Sequence, residues 1–327
     1  MVNVAVEAST STDDRSTPDP IIAAIDVGTN SIHMVVVRIK ASLPAFSIIA
    51  REKETVRLGD RDPKTGNLTP EAIERALAAL KRCQEIAKSL NAQHILAVAT
   101  SAVREAPNGN EFIRTVETEL GLAVNLISGQ EEARRIYLGV LSGVEFNDRP
   151  HLIIDIGGGS TELILGDSHA PRTLSSTKIG AVRLTSELVT TDPISDKEFI
   201  YLQAYICGQL ERPIEEIKAN IKPGELPQMV GTSGTIETAC TIIAREKTGV
   251  LPSRLHGFQL QRKDLEQLVQ KLRRLNVTER AQVPGLSERR AEIILPGLLV
   301  LLHAMTTLKM ESLLLCERSL RDRKSVV

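Results

Sequence analysis

One pattern occurs twice in this chain, about 130 residues apart: an apolar strand runs into an acidic turn rich in glycine and hydroxyl residues, and the turn runs straight into another strand. The first copy reads Ile25-Asp26-Val27-Gly28-Thr29-Asn30-Ser31 and the second Ile154-Asp155-Ile156-Gly157-Gly158-Gly159-Ser160-Thr161-Glu162. Recurrence at that scale is an internal duplication, and the simplest fold that satisfies it is two similar α/β lobes with a cleft between them. Glycines let backbone approach an anion and aim N–H groups at it, hydroxyls add donors, and a carboxylate holds hydrated Mg²⁺ beside phosphates. The two turns therefore read as facing phosphate clamps.

Two common phosphate loops are excluded. A Walker loop needs a Lys after its glycines and a helix behind it. A dinucleotide fingerprint also opens a helix, whereas the triple glycine here precedes the strand-like Thr161-Glu162-Leu163-Ile164-Leu165. A single Asp and Gly turn is explained equally well as a tight hairpin. A second copy and a third loop, Gly231-Thr232-Ser233-Gly234-Thr235, tip the balance toward anion binding. Asp26 and Asp155 then approach a metal, with Glu162 as a further carboxylate. Thr29, Asn30, Ser31, Gly157, Gly158, Gly159, Ser160 and, in the third loop, Thr232, Ser233 and Gly234 donate to phosphate oxygens.

Arg104 ends the segment Thr100-Ser101-Ala102-Val103-Arg104-Glu105, just beyond a buried strand. It can fork onto a phosphate or pair with Glu105 or another acid. Arg57 is either a loop ligand or a surface charge, and His33 either touches the cleft or sits in the core. Ser128-Gly129-Gln130-Glu131 has capping-box spacing, which turns the Glu131 carboxylate back to the cap. Glu132 lies about 100° away on the same helix; it is either a charge on the helix surface or, near two phosphate loops, a carboxylate that orients or deprotonates a water attacking phosphorus.

The patterns give strands at Ile21 to Ile25, Ile32 to Ile39, Ser47 to Val56, His94 to Ala99, Val124 to Ile127, His151 to Ile156, Thr161 to Leu165 and Arg172 to Ile179. A helix opens at Thr69-Pro70-Glu71, with Thr as cap and Pro at the first helical position. Residues 1–20, rich in Ser, Thr, Asp and Pro, read as a disordered tail rather than a signal peptide. The lobes are expected at 21–127 and 128–312, with 313–327 a C-terminal segment returning to the first lobe.

Aromatics make up 2% and Trp is absent, which argues against a stacking surface for nucleic acid. No run approaches the ~18 apolar residues of a membrane helix. Cys83, Cys207, Cys240 and Cys316 match neither zinc nor disulfide spacing, so all four are expected reduced and buried in a cytoplasmic protein. From Arg245 onward 16 Lys and Arg face 9 Asp and Glu although the whole chain carries -1. That excess is either a path for a polyanion or the solvated faces of helices.

The segments Ile25 to Met34, Ala99 to Arg104, Ile127 to Arg134, Asp155 to Leu163 and Gly231 to Thr235 together resemble the exopolyphosphatase and guanosine pentaphosphate phosphohydrolase (Ppx/GppA) family, in order, over roughly residues 21 to 320. The resemblance implies a duplicated ribonuclease-H-like fold of the actin, Hsp70 and sugar-kinase superfamily. It implies Mg²⁺-dependent hydrolysis of the terminal phosphoanhydride of inorganic polyphosphate, or of the 5′-γ-phosphate of guanosine pentaphosphate, in a short two-domain form. Mn²⁺ as a substitute ion, an added K⁺ and a homodimer stay open. By the same resemblance the base falls on Glu132, the metal carboxylates on Asp155 and Glu162 with Asp26 opposite, and phosphate contacts on Asn30, Arg104, Gly157, Gly158, Gly159 and Ser160. An ATPase or sugar kinase of the superfamily, and an idle sensor of polyphosphate or an alarmone, are the competing classes. The last segment, from Glu317, begins like the family's closing segment and then diverges, which suits either a natural short form or a cut chain.

Overall fold

A computed structural model describes residues 19–40, 45–147, 149–250 and 255–317. The tail expected over 1–20 lies, as far as residue 18, outside the described residues. In the first lobe β1 (Ile21–Val27), β2 (Ser31–Lys40) and β3 (Ala45–Thr55) form an antiparallel meander. After α1 (Pro70–Ser89), β4 (His94–Ala99) joins β1 in parallel. The short α2 (Ser101–Arg104) and α3 (Gly109–Leu120) lead to β5 (Val124–Leu126), parallel to β4. Thr69 caps α1 by accepting from the Ala72 amide, and Pro70 opens the helix, as read from the sequence.

Helix α4 (Gly129–Leu141) crosses to the second lobe, where β6 (His151–Ile156), β7 (Thr161–Gly166) and β8 (Pro171–Thr177) repeat the meander. There follow α5 (Ala181–Leu188), α6 (Asp196–Asn220), β9 (Gln228–Thr232), α7 (Gly234–Thr248), β10 (Gln259–Gln261), α8 (Arg262–Leu272), α9 (Val277–Ala281), α10 (Glu288–Ala291), α11 (Ile294–Thr307) and β11 (Ser312–Leu315). The sheets run β3-β2-β1-β4-β5 and β10-β11-β9-β6-β7-β8. Reading the second from β8, three antiparallel strands are followed by two added in parallel, so β6, β7, β8, β9 and β11 repeat β1 to β5. The duplicated ribonuclease-H-like topology is thus present in both sheets.

All six residues of β6 and all six of β7 are buried, the behaviour of strands covered on both faces. Alternation assigns the faces. Leu152, Ile154, Leu163 and Leu165 pack into the large core built with α6, α7 and α11, whereas Ile153 and Ile164 pack under Ala133, Ile136, Tyr137 and Val140 of α4. Each such aliphatic side chain contributes about 1.5–3 kcal/mol on burial. Asp155 and Glu162 share the parity of Ile153 and Ile164, so the sheet turns both acids toward α4.

Two expectations are corrected. Residues Ser312–Leu315 pair with β9 and β10 in the second sheet instead of returning to the first lobe; residues from 318 onward lie outside the described residues. Cys83, Cys240 and Cys316 are buried, but Cys207 is exposed on α6, whose inward stripe is taken by Leu202, Ile206 and Leu210. Among the described residues no helix is long and apolar enough to cross a membrane.

Candidate active site

Asp155 of β6 stands directly opposite Glu162 of β7, and Glu162 opposite Ser176 of β8. Directly paired residues hold their Cβ atoms about 4.5–5.5 Å apart, so the register alone forces two carboxylates together. Helix α4 adds a third. Ser128 caps that helix by accepting from the Glu131 amide at 3.2 Å, and Glu132 follows, buried to 7% exposure. Gly129 is required at the helix start, because a Cβ there would lie 2.6 Å from the Ser176 side chain. Burial first, and then the charges of Glu132 and Asp155, push the Glu162 carboxyl well above its ordinary range, against hydrogen bonds from Ser176 and Ser160. The Ser176 hydroxyl donates to Glu162 Oε1 at 2.7 Å.

Glu131 does not reach back to its cap. Its carboxylate accepts from Arg134 at 2.7 and 2.9 Å and from Arg135 at 2.7 Å, a forked ion pair one turn along that outcompetes the cap amide. Glu131 is thereby held at the surface and Glu132 remains in the cleft.

The three loops converge on one cavity of about 120 Å³, with room for roughly four waters. Its walls include Asp26, Thr29, Asn30, Ser31 and His33 from the first lobe, and Glu132, Asp155, Gly157, Gly158, Gly159, Ser160, Glu162, Ser233 and Gly234 from the second. The loops are laced from behind. Asn30 O accepts from the amides of Val56 and Arg57, Thr29 O from that of Gly59, Gly157 O from Ala181 and Gly158 O from Arg183. Carbonyls occupied in this way no longer repel an anion at the loop tips. In the third loop Ser233 has φ +92°, a backbone state that costs on the order of 1–3 kcal/mol outside glycine. It is held by the Ile156 amide donating to Ser233 Oγ and by Thr235 Oγ1 donating to Ile156 O.

Two expected phosphate contacts lie elsewhere. Thr232 is the last residue of β9 and is fully buried on the face of its register partner Asp155, while Ser233 and Thr235 of the same loop line the cavity. Arg104 is also outside the walls: its Nη1 donates to Ile127 O at 2.8 Å and to Glu132 Oε2 at 3.2 Å. The acid it meets is Glu132 and not Glu105. Arg57 borders a side cavity instead. Wall residues not given a role from the sequence include Thr100, Ser101, Thr235, Ile136, Ala181, Arg290 and Ile293. Thr100 and Ser101 sit where β4 ends, the carboxyl edge at which open α/β sheets bind ligands, so that signal was readable. Arg290 comes from the distant α10 and looks in the sequence like one charge of a solvated helix.

The family model described as the Ppx/GppA phosphatase family matches residues 35–323. The chain belongs to this family. A Haemophilus influenzae protein provisionally named an exopolyphosphatase is 30% identical over 304 residues, 92% of this chain and 89% of that protein. The crystal structure of an exopolyphosphatase from Cytophaga hutchinsonii matches with a TM-score of 0.84 at 27% identity, covering 92% of this chain and 95% of that one. An Aquifex aeolicus Ppx/GppA member matches with a TM-score of 0.75 at 27% identity, covering 93% and 96%. As a Ppx/GppA member the chain is a phosphoanhydride hydrolase.

Whether the residues suit a divalent ion can be tested on the donor set. Asp26, Asp155, Glu162 and Glu132 all face one cavity, and their oxygens are the hard donors Mg²⁺ prefers. Among the described residues no three acidic, His or Cys side chains stand as a closed metal cage. Mg²⁺ needs no such cage, since it keeps waters and takes one or two carboxylates together with substrate phosphates.

Proposed function

We propose that the chain is an exopolyphosphatase, removing the terminal phosphate of inorganic polyphosphate by attack of a water that Glu132 deprotonates. The observation that carries this reading is the buried Glu132 facing the glycine loop across a chamber sized for phosphate and a few waters. The Arg104 ion pair, 3.2 Å from Glu132 Oε2, fixes the direction of that carboxylate. The loop tips and the hydroxyls of Thr29, Ser31, Ser160 and Ser233 orient the terminal phosphoryl group so that water and leaving oxygen lie in line. Asp155 and Glu162 would hold Mg²⁺, which when bound neutralises phosphate charge. With water as acceptor, a single base suffices.

A 120 Å³ chamber is well below the ~300–1,000 Å³ of pockets that enclose a drug-sized ligand and suits a phosphate better than a nucleoside. A neighbouring cavity of about 640 Å³ shares Asn30 and Ile293 with the chamber and is lined by Arg57 and Arg289. Its volume favours guanosine pentaphosphate as a second substrate. No Phe, Tyr or Trp lines either cavity to stack on the base, which is why polyphosphate is put first.

Phosphate release from long-chain polyphosphate, tripolyphosphate, guanosine pentaphosphate and ATP, each with Mg²⁺, tests both. Glu132→Gln is expected to lower kcat on polyphosphate by about 10²–10⁴-fold with binding kept. Full activity in that variant refutes the base assignment. Release from guanosine pentaphosphate alone moves the second substrate into first place.

A further inference from the structure

The residue after Arg104 makes a second bridge between the lobes. Arg104 reaches Glu132, and Glu105 reaches Arg183 of α5: Arg183 Nη2 donates to Glu105 Oε2 at 2.5 Å. The side chains are 16% and 8% exposed, so this pair is shielded in a way that two further cross-lobe pairs are not: Lys178, 70% exposed, with the same Glu105 Oε2 at 3.5 Å, and Arg57 with Glu292 at 3.6 Å, about half exposed. Glu105 is itself fixed. Ser101 Oγ donates to its Oε1 at 2.8 Å, and Arg61 ties the end of α2 by donating to Ala102 O and Glu105 O.

Arg183 holds the glycine loop as well. Its amide donates to Gly158 O at 3.0 Å and its Nε to Gly159 O at 3.1 Å. The helix that carries it rests on the loop so closely that a Cβ on Gly180 would lie 2.2 Å from the Gly158 carbonyl carbon. Consecutive residues of the first lobe thus send one charge of each sign across the cleft, Arg104 to the base and Glu105 to the arginine that fixes the loop.

We propose that Glu105 and Arg183 form an interlobe clasp, with Arg183 a positioning residue that sets the tip of the second phosphate loop against Glu132 when the lobes close. The kinetic part rests on the exopolyphosphatase reading; closure does not. The chain provides its own probe, because Cys207 is exposed and the other three cysteines are buried. Spin labels on Cys207 and on Glu117→Cys in α3, which is exposed on the first lobe, report the interlobe distance in the full chain.

In the wild type a single narrow distance is expected. Arg183→Ala, and the isosteric Glu105→Gln, should lengthen and broaden it and cut kcat on tripolyphosphate by about 10-fold to 10²-fold, the scale of an ångström-sized misplacement, with KM moving less. Arg183→Lys keeps a cation for Glu105 but cannot also bond Gly159 O, so the distance should stay closed while kcat falls by an intermediate factor. Glu187→Gln, which removes only the half-exposed partner of Arg183 Nη1, should leave both readouts unchanged. A wild-type distance and kcat in folded Arg183→Ala and Glu105→Gln overturn the clasp. If the wild type cleaves no polyphosphate, the functional reading falls, and the distances decide the clasp: opened supports it, unchanged refutes it.

Discussion

The two lobes carry the same row of three cross-strand neighbours beside their loops, filled with different chemistry. In the second lobe the row is Asp155, Glu162 and Ser176. In the first it is Asp26, His33 and Lys53. One duplication thus produced a row that sets two carboxyl groups side by side and a row in which Asp26 is followed by an imidazole and an ammonium. The loops diverge in the same complementary sense. The first presents Thr29 and Asn30, the second three glycines. A Cβ on Gly158 would lie 2.9 Å from Thr29 Cβ, and one on Gly159 2.5 Å from Ser101 Oγ and 2.7 Å from Thr29 Oγ1. The first lobe supplies bulk, the second supplies the space for it, and the lobes close because they are no longer alike.

The sharpest way to break this comparison is to neutralise equivalent acids. Asp155→Asn or Glu162→Gln should lower kcat by on the order of 10³-fold, since several kcal/mol of charge stabilisation are lost at 1.36 kcal/mol per decade, and should abolish the rise in melting temperature on adding Mg²⁺. Asp26→Asn, alone in its row, should cost about tenfold and keep most of that rise. Equal losses in all three would erase the distinction between the rows.

Next in size is the contact of the loops. Gly159→Ala should reduce kcat/KM by about 10-fold to 10²-fold by holding the lobes apart, with part of the loss recovered when Thr29→Ala is added. A variant with unchanged kinetics would show that the glycine serves only the anion.

Helix caps sharpen the comparison at a finer scale. Thr69→Ala at α1 and Ser128→Ala at α4 should each cost about 1 kcal/mol of stability in denaturant unfolding. Only Ser128→Ala should also lower kcat, because α4 carries Glu132.

The smallest effect concerns pH. Arg134, with Arg135 adding to it, holds the Glu131 carboxyl down at about 2, below its ordinary 4.5. A lowered folded value means that the ionised form is favoured in the native state, so this contribution is complete above pH 4.5 and disappears as pH falls toward 2. The melting temperature of the wild type should therefore exceed that of Glu131→Gln slightly at pH 6, by an amount that shrinks at pH 3 and in high salt.

What the sequence disclosed follows from the range of the forces involved. Thr69-Pro70, the strand His94 to Ala99 and the paired turns are local signals, and each stands in the structure where it was read. The duplication was visible because both copies retain the Asp and Gly turn. The fate of Arg104 was not, since Glu132 and Glu105 offer the same charge and only the approach of α4 selects between them. Thr232 was misplaced by one residue: it shares the face of its register partner Asp155 but is fully buried, and the hydroxyls of Gly-Thr-Ser-Gly-Thr that line the cavity are those of Ser233 and Thr235. Arg290 and the Arg183 contact with Glu105 join residues far apart in the chain, which no window of sequence reports.

The position of β11 carries a consequence for how the molecule is made. The first sheet is complete once Leu126 has left the ribosome, whereas in the second β11 lies between β9 and β10. Until Leu315 is synthesised, β9 has one unpaired edge and β10 has no neighbour at all. The lobe that holds Glu132 and the glycine loop is therefore the last to become whole, and during that interval its open strand edge is the part of the nascent chain most exposed to wrong pairing.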